Sequence, residues 1–136
     1  MSISGDETKG RLEGCEIWGH KESCVSIVDG ADPMLVTNAI HDGKSYGVLI
    51  SRSKGRLEGN QIWGNMDCGV IVTNEGDPTI AGCTIRDHAG VGDEDSSEPS
   101  KGCGVYVCDS APGRATIQPD CVFARNVGGD VVGFTR

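Results

Sequence analysis

Apolar residues return along this chain in columns. Leu12, Leu35, Leu57, Ile80 and Ile117 form the first, the first four at intervals of 22 or 23 residues. Three residues on stand Cys15, Asn38, Asn60, Cys83 and Asp120, and two further on Ile17, Ile40, Ile62, Ile85 and Val122. The pattern L-x-x-[N/C]-x-I is thus written five times. Each copy is followed by a short alternating run: CVSIV (24–28), GVLIS (47–51), GVIVT (69–73), GVYVC (104–108) and DVVGF (130–134). Period-two alternation that stops after about five residues predicts strands, not helices. Fixed β-branched columns at this period, with Gly, Asn and Asp between them, predict a solenoid of strands. A single coil has too little apolar surface to fold alone, so neighbouring coils must stack and bury a continuous aliphatic strip.

A stronger echo spans two coils. KGRLEGCEIWG at 9–19 returns as KGRLEGNQIWG at 54–64. Odd coils carry Arg11, Glu13 and Trp18, then Arg56, Glu58 and Trp63; even coils carry Met34, Val36 and His41, then Thr79, Ala81 and Arg86. Stacked coils sit about 4.8 Å apart, so a charge repeated in every coil would repel its own image, and alternation doubles the gap to roughly 9.6 Å. Asp42 and Asp87 alternate with Gly19 and Gly64 in the same way. The fourth copy carries an insertion of twelve residues near 90–101. The expectation is an all-β parallel solenoid of about five to six coils, a single domain over 1–136 that begins and ends mid-coil.

Composition narrows the partners. A formal charge of -8 with only 12 Lys and Arg argues against nucleic acid and against an anionic membrane. No run approaches the roughly 18 to 20 apolar residues that span a bilayer. The N-terminal MSISGDETKG shows no secretory signal, and seven Cys is an odd count, so the expectation is reduced thiols in a cytoplasmic setting. No paired CxxC spacing predicts a structural zinc site, and the insertion, with Asp93, Glu94, Asp95 and Glu98, lacks an EF-hand order. It reads as a solvated loop.

The columns N-x-I followed by G-V-x-V resemble the right-handed parallel β-helix repeats of the pectate-lyase-like superfamily. The spacing is most similar to the β-helix domain of F-box-only ubiquitin-ligase receptors. The resemblance implies a single-stranded right-handed parallel β-helix. It implies no one activity, because that superfamily holds lyases, hydrolases, adhesins and non-catalytic binding modules. Its lyases hold calcium between clustered carboxylates, and its hydrolases use adjacent Asp residues as acid and base.

Such chemistry needs carboxylates close enough to shift one another or to share an ion. Here the matching carboxylates stand two coils apart. Asp87 with His88, and Asp42 in the same column as Asp87, are the candidates for a catalytic site, with calcium as the cofactor a lyase would need; no metal-ligand set is otherwise expected. The pairs Asp29 with Asp32 and Glu75 with Asp77 precede Pro and read as turn chemistry. The Asn and Cys column is expected inside, Asn bonding along the ladder and Cys as a small apolar filler.

Two stripes are candidate binding surfaces. In the GVxV strand the residue between the inward Val positions points out: Ser26, Leu49, Ile71, Tyr106 and Val132. The second stripe follows the third column: Trp18, His41, Trp63, Arg86 and Phe123. Aromatic rings interleaved with cationic groups stabilise one another and offer a platform for a sugar or peptide side chain. The leading expectation is a non-catalytic protein-binding or self-assembly module, acting through the outward strand face or uncapped ends. The alternative is a carbohydrate-active lyase or hydrolase.

Overall fold

The structure is a computed structural model that describes residues 2–5, 10–88, 102–108 and 114–133. The insertion expected near 90–101 lies outside the described residues. After β1 (Ser2–Ser4), the first coil is built from β2 (Arg11–Glu13), β3 (Glu16–Trp18) and β4 (Val25–Val28). The second holds β5 (Met34–Val36), β6 (Ala39–His41) and β7 (Val48–Ser51), and the third β8 (Arg56–Glu58), β9 (Gln61–Trp63) and β10 (Val70–Thr73). The fourth holds β11 (Thr79–Ala81), β12 (Thr84–Arg86) and β13 (Cys103–Val107), and the fifth β14 (Thr116–Ile117), β15 (Val122–Ala124) and β16 (Gly129–Val132). All pair in parallel, giving three sheets: A is β1-β4-β7-β10-β13-β16, B is β2-β5-β8-β11-β14 and C is β3-β6-β9-β12-β15.

Register follows the sequence columns. Leu12, Leu35, Leu57, Ile80 and Ile117 are successive partners in sheet B, and Ile17, Ile40, Ile62 and Ile85 in sheet C. Val25, Val48, Val70, Val105 and Val131 form the ladder of sheet A. Leu35, Leu57, Ile80, Ile40, Ile62, Ile85, Val48 and Val70 are fully buried in one core. Each such side chain stabilises the shaft by about 1.5–3 kcal/mol relative to exposure.

The odd spacing between the first two columns has a backbone cause. Strict alternation would not let Leu12, Cys15 and Ile17 all face inward. One residue at the corner takes a left-handed conformation and resets the alternation: Gly14, Thr37, Gly59 and Gly82, with φ of 66, 52, 65 and 58°. Glycine adopts this without penalty, whereas Thr37 carries a β-branched side chain there. A second corner, after β3 and its equivalents, repeats the device with Gly19, Asp42, Gly64, Asp87 and Arg125.

Asn38 and Asn60 bind the corner together. Asn38 Oδ1 accepts from Cys15 N at 2.9 Å and its Nδ2 donates to Leu12 O at 2.9 Å. Asn60 Oδ1 accepts from Asn38 N at 2.9 Å and its Nδ2 donates to Leu35 O at 2.8 Å. Cysteine is more than a filler in this column. The Cys83 thiol donates to Leu57 O at 3.5 Å and the Cys121 thiol to Ile80 O at 3.4 Å, the same backbone position the Asn amides serve.

The fifth coil departs from the expected alignment by one residue. Ile85 pairs with Phe123, not Val122, and Arg86 with Ala124, not Phe123. The cause is a turn over Pro119 and Asp120, closed by Cys121 N donating to Gln118 O at 3.2 Å. That turn adds a residue, so Cys121 takes the column position expected of Asp120. Phe123 thus packs against the core, and Val122 lies on the outer face.

Two substitutions test these corners. Thr37→Gly relieves a left-handed β-branched residue, a strain of about 1–2 kcal/mol, against roughly 0.5–1 kcal/mol of added chain entropy. We expect a higher urea midpoint with an unchanged slope; a lower midpoint would refute the corner-strain account. Asn60→Ala strands Asn38 N and Leu35 O, at about 1–3 kcal/mol for each buried group. Asn60→Cys should cost measurably less, because its thiol can reach the Leu35 carbonyl; equal losses would contradict the shared donor role.

Candidate functional site

Sheet C buries the middle residue of its first four strands and partly buries that of the fifth, and turns the neighbours outward, so the third residues align on one outer face. Trp18, His41, Trp63 and Arg86 are successive partners there. Their rings stack along the solenoid axis. His41 lies 4.2 Å from Trp63 between ring centres with 5° between planes, and 6.4 Å from Trp18 with 13°. The Arg86 guanidinium carbon sits 5.1 Å from the Trp63 ring centre, a cation over an aromatic face. Trp18 is 62% exposed, the most accessible aromatic ring of the ladder.

His41 is held at both nitrogens. Nε2 meets Glu16 Oε1 at 2.9 Å and Nδ1 meets Asp42 Oδ2 at 2.7 Å. The flanking rings leave its side chain 12% exposed, while both carboxylates stay open to water. Loss of solvent alone would lower the imidazole pKa, but the hydrogen bonds to Asp42 and Glu16 outweigh it and raise it above the ordinary value. A protonated ring can donate to both carboxylates at once, whereas a neutral one can donate to only one.

Asp87, at the second corner, is gripped from two sides. Arg86 Nη1 donates to Oδ2 at 2.6 Å, and Arg125 forks onto both oxygens, Nε to Oδ1 and Nη2 to Oδ2 at 3.0 Å. Arg125 first, then Arg86, holds this carboxyl well below the usual carboxylate range. His88, the next residue, points the other way and is 0% exposed. Its Nδ1 lies 3.3 Å from Asn65 N, and burial pushes its pKa down. The Ile62 carbonyl is near enough to favour the ring proton, yet Nε2 makes no hydrogen bond of ordinary geometry.

The structure therefore does not bring the catalytic candidates together. Asp87 and His88 occupy opposite sides of one wall. Asp42 belongs to a coil two steps away, with Gly64 between, where a Cβ would fall 2.8 Å from Asp42 Oδ1. Among the described residues no three His, Cys, Asp or Glu side chains converge in a set that could hold a metal ion.

The outward stripe of sheet A keeps the expected register, Ser26, Leu49, Ile71, Tyr106 and Val132. It is not bare. Ile71 and Tyr106 are each only 9% exposed, in a second apolar cluster with buried Cys68 and Cys103 and partly buried Tyr46, Leu49, Cys108 and Val132. Exposure alone thus separates the two stripes, and the ladder of sheet C is the more accessible. Cys68 and Cys103 lie in this cluster as thiols, with no disulfide between them, and the other five cysteines form none either.

Sequence reasoning missed a second interior polar ladder. Gly43 N donates to Asn65 Oδ1 at 2.9 Å, Asn65 N approaches His88 Nδ1, and His88 N approaches Asn126 Oδ1 at 3.4 Å. Asn126 Nδ2 closes onto Ile85 O at 3.0 Å. The signal was present for Asn65 and His88, three after Ile62 and Ile85, the same offset that turns Asn38 inward after Leu35; Asn126 keeps that offset only from Phe123, the true partner of Ile85.

Parallel strands in three in-register sheets, winding around one aliphatic shaft, define a right-handed β-solenoid. The chain matches the family described as right handed beta helix region over residues 3–85, more than half of its length, and belongs to it. Neither the comparison with curated proteins nor that with solved structures gives a match. Among the described residues no helix is long and apolar enough to cross a membrane.

The two histidines should act on stability with opposite sign. His41 has a raised folded pKa, so its contribution is complete below the unfolded value of about 6.5 and fades as pH rises through the folded one. His88 has a lowered folded pKa, so stability is complete above about 6.5 and falls as the pH drops below it. Urea midpoints at pH 5.5 and 8 should show His41→Gln more damaging at the acid end. His88→Asn, which keeps the ladder's amide, should flatten the acid-side loss. Equal effects at both pH values would contradict the assignment.

Proposed function

We propose that this chain is a non-catalytic β-solenoid scaffold that binds a protein partner, a second copy included, through the outer face of sheet C. The observation that carries the reading is the ladder itself: four stacked side chains fixed in place, ending on a tryptophan face that is mostly open to solvent. An exposed indole on a rigid sheet loses little side-chain entropy on binding, which suits it to anchor an interface. The candidate acid and base groups support the same reading from the other side. Asp87 is neutralised by two arginines, and His88 is out of reach inside the shaft. The similarity of the repeat spacing to the β-helix domain of F-box-only ubiquitin-ligase receptors also favours partner capture in a cytoplasmic setting.

The decisive variant is Trp18→Ser, because so exposed a side chain can be removed without opening the core. Light scattering of the parent protein should give a mass that rises with concentration, and Trp18→Ser should lower that rise. A parent that stays monomeric at every concentration removes self-association from the proposal. A glycan panel supplies the other arm. Turnover of acidic polysaccharides that is lost in Asp87→Ala would replace the scaffold reading with a carbohydrate-active one, and calcium dependence would mark a lyase.

A further inference from the structure

In sheet C, β3 is an edge strand, with β6 on one side and no strand on the other among the described residues. In a parallel pair the N–H and C=O of alternate residues point to opposite sides. Cys15 O accepts from Ala39 N at 2.8 Å, which turns Cys15 and Ile17 toward β6 and leaves Glu16 and Trp18 to present their backbone groups at the open edge. The side chains of Glu16 and Trp18 stand on the outer face and are both exposed, while Ile17 between them is buried.

The ladder on that face has an order of its own. From the fourth coil to the first its rungs alternate basic and aromatic: Arg86, Trp63, His41, Trp18. Trp63 is covered on both faces, by His41 with 4.2 Å between ring centres and by the Arg86 guanidinium at 5.1 Å. Trp18 has His41 on one face at 6.4 Å, and its high exposure leaves the other face turned to solvent, beyond the edge of the sheet. The rung due next in the alternation is a basic one. Glu16 stands two residues before Trp18 on the same face with its side chain open to water, and the chain carries a net charge of -8, so a cation is drawn to this end of the ladder.

We propose that an extended segment of a basic partner protein adds to the β3 edge in parallel, with an arginine side chain laid flat on the open face of Trp18. The inference rests on the reading of sheet C as a partner-binding face and names the partner's chemistry. Strand addition supplies affinity through the backbones of Glu16 and Trp18, and the rung over Trp18 supplies specificity. The residue before the arginine points to the shaft, where Ile17 is already covered, so it is small. Arginine suits the rung better than lysine, because its planar, weakly hydrated guanidinium stacks on a ring as Arg86 does on Trp63, with its N–H groups left to donate toward Glu16.

The test is an amide-proton titration of the full chain with the peptide acetyl-Gly-Thr-Ala-Arg-Thr-Gly-amide, beside the same peptide with Gln or Lys in place of Arg. So short a strand binds weakly, and the probe should span about 0.1–10 mM, around a millimolar Kd. We expect saturable shifts confined to the amides of Glu16, Ile17 and Trp18 and the Trp18 indole N–H, with Kd about threefold weaker for the Gln peptide and intermediate for Lys. Trp18→Leu should keep the shift at Glu16 and bind the Arg and Gln peptides alike; the same spectra report that the variant is folded. Absence of saturable shifts, equal binding of the Arg and Gln peptides by the parent, or discrimination that survives Trp18→Leu would overturn the inference. The same shifts on merely concentrating the chain would put a second copy on the edge and overturn it too. Light scattering reads the scaffold proposal separately: a rise in mass that Trp18→Ser lowers keeps that reading even where the peptides fail.

Discussion

Every feature of this molecule depends on in-register stacking, one strand spacing per coil, so that each residue lies directly over its equivalent. This geometry multiplies whatever a column contains. An aliphatic column becomes a continuous ladder, and the ladders of Leu12 to Ile117 and Val25 to Val131 are what the shaft is made of. An amide column becomes a hydrogen-bonded chain, as in Asn38 onto Asn60. A charged column would become a line of like charges, and there the sequence must intervene.

The two-coil echo is that intervention, and the structure adds a reason beyond spacing. In the odd coils the charges are opposed within one strand: Arg11 Nε meets Glu13 Oε2 at 3.0 Å, and Arg56 Nε meets Glu58 Oε2 at 3.0 Å. In the even coils the same columns hold Met34 and Val36, then Thr79 and Ala81. Val36 and Ala81 are buried, because the glutamate columns flank them. Alternation therefore does two things at once: it separates like charges and gives the small apolar residues a cover. Exposed ion pairs of this kind contribute little each, so cover matters more than the pairing energy.

The fold was legible because stacking writes itself into the sequence as a period. Columns of Leu and Ile needed only alignment, and they held through four coils. The first failure came where the period itself was broken. Nothing in Gln118, Pro119, Asp120 and Cys121 says which residue a turn will absorb, and the slip moved Val122 out and Phe123 in. The candidate sites were harder to read for a different reason. Residue order places Asp87 beside His88, and alternation from Ile85 would turn Asp87 in and His88 out; the left-handed φ at Asp87 reverses that, so His88 is buried and Asp87 faces solvent. Asp42, Asp87 and Thr37 occupy such corners without glycine, and only their alignment with Gly19, Gly64, Gly14 and Gly59 in neighbouring coils marks the left-handed φ in the sequence.

The same corners explain how one solenoid can hold two histidines in opposed electrostatic states. His41 precedes its corner residue, Asp42, and so faces out, where Asp42 and Glu16 can reach both ring nitrogens. His88 follows its corner residue, Asp87, and so faces in, where burial outweighs every favourable contact. A shift of two positions relative to one left-handed residue is enough to reverse the sign of the pKa perturbation. The interior site tolerates a ring only because the coil beside it carries Gly69, where a Cβ would stand 2.8 Å from His88 Nε2. Polar groups in the shaft thus depend on glycines in the next strand, just as the exposed acids depend on glycines in the alternate corners. Backbone without side chains is what lets this stack mix chemistries without losing its register.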